Sequence, residues 1–180
     1  MHSKKANKIT IFTIGHSTRS IDEFISTLKA YGIQELIDIR TIPKSRHNPQ
    51  FNADALRTSL HNHHIGYRHM SALGGLRHAS KDSINTAWRN ASFRGFADYM
   101  QTPEFADSIE KLVEIAQHKI TVIMCAEAVP WRCHRSLIGD ALLVREIHVE
   151  DIYSATSAKP HTLTPWAVVK GTAITYPEDK

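Results

Sequence analysis

Five short apolar runs recur along the chain with helical-period segments between them, and that alternation leaves few folds open. Lys8–Ile14, Glu35–Arg40, Ile65–Met70, Ile120–Cys125 and Glu146–Val149 have the length and β-branched content of strands. Between them, Ser20 and Glu23 form a capping box ahead of the apolar face Ile21, Phe24, Ile25 and Leu28, with a stop at Gly32. Asn52 stands as the N-cap of a second helix running to about His63, with Phe51 and Leu56 placed as a hydrophobic staple. Thr102-Pro103-Glu104 opens a third helix with Phe105, Ile109, Leu112, Val113 and Ala116 on one face. Leu137, Ile138, Ala141, Leu142 and Val144 repeat at helical spacing in a fourth. This pattern predicts an α/β fold, a largely parallel sheet of about five strands with helices on both faces and right-handed crossovers. Trp166–Val169 against Thr172–Tyr176, turned at Lys170-Gly171, predicts a small C-terminal hairpin.

A chain of 180 residues is expected to form one domain. Residues 1–8 read as a basic, frayed terminus, 9–150 as the α/β domain, and 151–180 as a tail and hairpin packed on the same domain. Residues 71–92 contain Leu73-Gly74-Gly75 and no sustained periodicity, so they read as a lid or binding loop, or as a plain connector. Two cysteines eight apart, no charged-then-apolar leader and no apolar run approaching ~18 residues predict a soluble protein of a reducing compartment, the cytoplasm, without membrane contact. The oligomeric state is left open.

Charge is unevenly placed. Residues 40–94 hold nine Lys or Arg against Asp54 and Asp82, so they carry +7 of a total of +4 and the remainder carries −3. Six of the twelve histidines fall in the same window. An anionic ligand fits such a segment, as does an ordinary solvated face.

The candidate chemistry sits between the Ile120–Cys125 strand and the helix after it. Cys133 is flanked by Arg132, His134 and Arg135 and is expected in the first turn of that helix, where amide donors and the positive dipole end favour a thiolate. Cys125, at a core strand end, reads as a small buried hydrophobe or as a partner for Cys133. Glu127 at a partly buried sheet edge fits a general base, or a salt bridge to Arg132 or Arg135. Gly15-His16-Ser17, Asp38-Ile39-Arg40 and Cys125-Ala126-Glu127 each end a predicted strand, the edge where open α/β sheets take ligands. There Arg40 and Arg46 could hold phosphate or carboxylate in a forked geometry, oriented by Asp38, or Arg40 could form a strand-end ion pair. His16 could donate or accept at the first turn.

Two templates fit poorly. Phosphate cradles of cysteine phosphatases and sulfurtransferases separate Cys from Arg by five residues, whereas six lie between Cys125 and Arg132, none of them glycine, and Val129-Pro130 removes a backbone donor. Cys125, Cys133, His134, His61, His63 and His64 match no compact zinc spacing, so neither a metal nor another cofactor is expected.

Taken together, Thr13-Ile14-Gly15-His16-Ser17, Asp38-Ile39-Arg40 with Pro43-Lys44-Ser45, Leu73-Gly74-Gly75, and Cys125-Ala126-Glu127 with Cys133-His134-Arg135 resemble the family catalogued as domain of unknown function 488. The resemblance runs from about Ile9 to Val149, and His161–Pro165 with Tyr176-Pro177 look like the family's ending. It implies an α/β domain, suspected of enzymatic activity for its cysteines, with no established substrate. The glycines Gly74 and Gly75 enter the candidate binding set with it.

Two functions compete at this stage. In the first, an enzyme uses Cys133, with Glu127 or His134 moving protons, Cys125 as second sulfur, and Arg40 with Arg135 holding an anionic small molecule or nucleotide. In the second, a nucleic-acid-binding module uses Lys44, Arg46, Arg57, Arg68, Arg77, Arg89 and Arg94 on phosphates while Trp88 or Phe93 stacks on a base.

Overall fold

The alternating runs become strands β1 (Thr10–Gly15), β2 (Glu35–Asp38), β3 (Gly66–His69), β4 (Thr121–Cys125) and β5 (His148–Ser154), all parallel. They are joined by α1 (Ile21–Ala30), α2 (Ala53–His61), α3 (Ala91–Tyr99), α4 (Pro103–His118) and α5 (Arg135–Leu143). This computed structural model describes residues 8–178, so the terminus expected at 1–8 lies outside the described residues apart from Lys8. An additional strand, β6 (Ser157–Pro160), folds back antiparallel on β5 and makes six in the order β3-β2-β4-β1-β5-β6. The hairpin expected near the C-terminus is β7 (Val168–Lys170) with β8 (Ala173–Thr175).

Strand side chains alternate between two cores. Ile37, Ile39, Ile123 and Cys125 face the side covered by α3, α4 and α5, while Leu36, Val122 and Met124 face α1 and α2. The period of two therefore decides which helix Cys125 meets, and that helix is α5. Ser20 caps α1 through its hydroxyl on the Glu23 amide, and Gly32 closes it at φ 68°. Phe51 and Leu56 are both fully buried, as a staple requires. Asn52 precedes α2 but makes no side-chain cap, because its Oδ1 accepts the Ser45 amide and holds the preceding loop instead.

The chain departs from expectation at three places. α3 begins within residues read as loop, capped by Asn90 on the amides of Ser92 and Phe93. α2 stops at His61, with His64 turning at φ 60°. α5 starts at Arg135, two residues later than a helical Cys133 requires, since Pro130–Arg132 form a short 3-10 turn and Cys133 is extended behind it.

α5 is buried nearly all round, because the C-terminal tail covers the side that the sheet does not. The tail is held by a polar clasp. His161 Nε2 lies 3.0 Å from Asp140 Oδ1 and its Nδ1 lies 3.2 Å from Asp151 Oδ2. The Tyr176 hydroxyl donates to Asp140 at 2.8 Å, and the Thr13 hydroxyl donates to Asp151. Burial disfavours the imidazolium, but the two carboxylates outweigh it and raise His161 to about 9.

A raised folded-state pKa contributes stability that is complete below the ordinary value of 6.5 and is lost as pH climbs through about 9. Over that window the clasp should forfeit about 3 kcal/mol. Urea unfolding of the wild type at the two ends, set beside His161→Gln, measures it. Parallel pH dependence in the two proteins would dismiss the clasp.

Candidate active site at the sheet switch point

Chain direction explains where the site lies. From β2 the chain proceeds outward to β3, and from β4 it proceeds the other way to β5, although β2 and β4 are neighbours. Connections leaving adjacent strands in opposite directions open a crevice at their C-terminal ends. A cavity of about 470 Å³ occupies that position, lined by Arg40 and Thr41 after β2 and by Cys125, Ala126 and Glu127 after β4. Gly75, Arg132, Cys133 and His134 also line it.

Both sulfurs are almost wholly enclosed, Cys125 at 3% and Cys133 at 4% exposure, and both are free thiols. Behind Cys125 lies Arg135, at 1% exposure the largest fully buried side chain. Its Nη1 donates to Cys125 Sγ at 2.8 Å and to the Glu127 carbonyl at 2.6 Å, its Nη2 donates to the Ala128 carbonyl at 3.2 Å, and its Nε has no partner. Among the described residues no carboxylate forms an ion pair with it. A buried cation without an anion is costly, and a Cys125 thiolate is the one counter-ion within reach. Burial by itself raises the Cys125 pKa, yet the Cys133 hydrogen bond together with Arg135's charge and hydrogen bond draws it down to about 7. Cys133 moves the opposite way, pushed well up by burial and by the neighbouring Cys125. Its main-chain support is weaker, the Arg135 amide at 3.4 Å from Sγ.

His134 completes the pair of thiols. Its Nε2 lies 3.0 Å from the Ile39 carbonyl and 2.9 Å from the Leu73 carbonyl, and carbonyls only accept, so Nε2 carries the proton. Burial lowers His134 to about 4 in spite of those two acceptors, so at neutral pH its Nδ1 is a bare acceptor, 3.5 Å from Cys133 Sγ. Gly75 lets the chain pass over this ring: a Cβ there would stand 2.6 Å from Nδ1. A Cβ on Gly74 would stand 2.4 Å from Thr41 Oγ1, so the double glycine brings the 71–77 segment down onto the end of β2.

Arg40 is buried and held as a fork by Asp38, Nε on Oδ1 at 2.9 Å and Nη2 on Oδ2 at 2.7 Å, with Tyr67 donating to the same carboxylate at 2.6 Å. This is both the orienting contact and the ion pair that the sequence allowed. Its Nη1 reaches His16 Nε2 at 3.4 Å. His16 is stacked on Phe51, donates from Nδ1 to the Ser17 carbonyl, and is kept neutral chiefly by burial. Gly15 pairs with Cys125 in register, and a Cβ on it would overlap the Glu127 carbonyl at 1.5 Å, so only glycine lets the 126–128 loop cross there.

Other candidates fall elsewhere. The Glu127 side chain is exposed and forms neither of the salt bridges expected for it; its carbonyl is what Arg135 engages. Arg46 is exposed and outside the cavity lining; His16, Asp38 and Gly74 are buried and Ser17 half-buried, and these four lie outside the lining too. Lys44, Ile42 and Leu76 line the mouth, the last two at 60% and 68% exposure. Of the basic segment, Arg68 pairs with Glu35, Arg77 lies over Tyr99, and Arg94 donates to main-chain carbonyls. Trp88 packs edge-on against Phe93, Trp166 and Tyr176. No group of three His, Cys, Asp or Glu side chains is arranged to hold a metal ion among the described residues, and no described helix is long and apolar enough to cross a membrane.

The model of the family described as Domain of unknown function DUF488 matches residues 20–142, about two thirds of the chain and all of the cavity lining. No curated protein and no solved structure matches.

If Cys125 is the counter-ion of Arg135, Cys125→Ala strands a buried charge and should cost about 3–5 kcal/mol. Cys133→Ala removes one small buried group and should cost on the order of 1 kcal/mol. Denaturant midpoints of the two variants decide it; equal losses would make Cys125 an ordinary core thiol.

Proposed function

This chain belongs to the family described as domain of unknown function DUF488, and we propose that it is a cysteine-dependent enzyme in which the Cys125 thiolate attacks an anionic substrate bound at the β2/β4 crevice. The observation that carries the reading is the buried guanidinium of Arg135, 2.8 Å from a sulfur and without a carboxylate. A thiolate formed near pH 7 is a nucleophile at physiological pH while remaining a competent leaving group.

Each neighbour then has a task. Arg135 stabilises the sulfur anion from behind, leaving the cavity side of Cys125 for the substrate. Cys133 shares the cavity wall with the thiolate, and its thiol is oriented by the bare His134 Nδ1, 3.5 Å from its sulfur. Arg132 and Lys44, both exposed at the cavity and outside any ion pair among the described residues, supply positive charge for the substrate, and Arg40 contributes its Nη1 edge. The cavity suits a small anion with an apolar portion, given Ile42 and Leu76 at the mouth. The nucleic-acid reading draws less support, because its stacking aromatics are packed together and three of its arginines are tied within the protein.

The rate of alkylation of Cys125 by iodoacetamide, followed against pH by peptide mapping, should turn upward with a midpoint near 7. In Arg135→Leu the midpoint should return toward the free-thiol value of about 8.5. Inorganic sulfate should slow wild-type labelling, and less so in Arg132→Ser. An ordinary thiol midpoint for Cys125 in the wild type would sink the proposal.

A further inference from the structure

We infer that Cys133 is the resolving residue of a peroxide-reactive pair, closing a reversible disulfide onto Cys125 after that sulfur has been oxidised. The inference rests on the thiolate reading for its first step and goes beyond it in giving the second sulfur a reaction of its own.

Three features of the geometry carry it. The two sulfurs meet the same residue although eight positions separate them: the Arg135 side chain donates to Cys125 Sγ at 2.8 Å and the Arg135 amide stands 3.4 Å from Cys133 Sγ. Both border the same 470 Å³ cavity, so a molecule as small as hydrogen peroxide can reach sulfurs that are otherwise enclosed. The loop between them is anchored over 126–128, by the Ser17 amide on the Ala126 carbonyl and by Arg135 on the Glu127 and Ala128 carbonyls. Beyond Ala128 it has only short-range turns, the Arg132 amide on the Val129 carbonyl and the Cys133 amide on the Pro130 carbonyl. Cys133 therefore sits in extended backbone that precedes α5 rather than inside it, tied to the helix through its carbonyl, which accepts from the Ser136 amide and hydroxyl.

The chemistry balances with a hydroperoxide as oxidant. The Cys125 thiolate attacks the terminal peroxide oxygen, the O–O bond breaks, and an alkoxide or hydroxide leaves as Cys125 becomes a sulfenic acid. The Cys133 sulfur then attacks the Cys125 sulfur, the S–O bond breaks, and the departing hydroxide takes the Cys133 proton as water. Two electrons pass from the two sulfurs to the peroxide, one to each oxygen as the O–O bond is lost, and a dithiol reductant restores both thiols. The division of labour follows from the surroundings. Arg135 faces Cys125 and favours its anion, which the first step needs, whereas His134 Nδ1 faces Cys133, where a proton must be released in the second.

The full-length, fully reduced wild-type chain is treated with one equivalent of hydrogen peroxide in the presence of dimedone, then mapped by mass spectrometry without reduction. Expected is loss of both thiols together, a cross-linked peptide joining positions 125 and 133, and recovery of both thiols with dithiothreitol. In Cys133→Ser the cross-link is absent and Cys125 carries dimedone or is carried on to sulfinic acid. The wild type alone decides if the variant folds poorly. Dimedone on wild-type Cys125 with Cys133 still free, or cross-links only between chains, would overturn the resolving role. Should Cys125 show its midpoint near 7 and yet form no cross-link, the nucleophile stands and this inference falls; oxidation beginning at Cys133 would remove both.

Discussion

A guanidinium at 1% exposure, with no carboxylate paired to it among the described residues, is the constraint around which the site is arranged. Desolvating such a cation costs several kcal/mol even after relaxation, and two neutral carbonyls recover only part of that. The charge is satisfied only if something nearby is an anion, and the arrangement leaves that to the Cys125 sulfur. From this one requirement the others follow: Cys125 must point to the α5 face, the 126–128 loop must fold back so that its carbonyls reach Arg135, and Gly15 must lack a side chain so that the loop can lie there. Gly15 is thus part of the electrostatics of the site, although it carries no charge and does not line the cavity.

The sheet supplies the same logic at larger scale. Opposite exits from β2 and β4 create the crevice, and Arg40 and Cys125 stand on its two walls. Arg40 and Arg135 solve the burial of a guanidinium differently. Arg40 is neutralised by Asp38 in a complete fork, so it is a fixed structural dipole at the wall. Arg135 has no such partner and retains its influence on the sulfur. Two arginines of similar burial therefore contribute unequal fields, and the difference lies in one carboxylate.

Much of this was legible from residues alone. Periodicity gave the five parallel strands and four of the helices, because strand and helix repeats are local properties. It also placed Gly15-His16-Ser17, Asp38-Ile39-Arg40 and Cys125-Ala126-Glu127 at one end of the sheet. α3 escaped because its nine residues are short and carry a glycine at their centre beside the aromatics Phe93, Phe96 and Tyr99, and only the Asn90 cap announced it. β6 escaped because Ser157–Pro160 is polar and ends in proline, acceptable on an edge strand and invisible to hydrophobic patterning. The relative standing of the two sulfurs could not be read from neighbours in sequence. Arg132, His134 and Arg135 adjoin Cys133 along the chain, yet the Arg135 side chain turns back toward Cys125, and that direction is set by the tertiary placement of α5. The Asp140, His161 and Asp151 clasp was likewise out of reach, since its members come from α5, the tail and β5.

Arg135 also runs against the preferences of its own element. At the first position of α5 a cation meets the positive end of the helix dipole, an unfavourable placement by about 0.3–1 kcal/mol even at a surface. Its Nε is unsatisfied, and its charge is desolvated. The same helix shows the conventional solution a turn and a half later, where buried Asp140 is met by His161, Tyr176 and the Thr164 amide. A sequence selected for stability alone would place an apolar residue at 135, since the pocket is otherwise lined by core. Position 135 thus runs against three local preferences at once, and it does so beside Cys125. Its effect is to favour the anion of the Cys125 sulfur, which borders the crevice that the strand order opens.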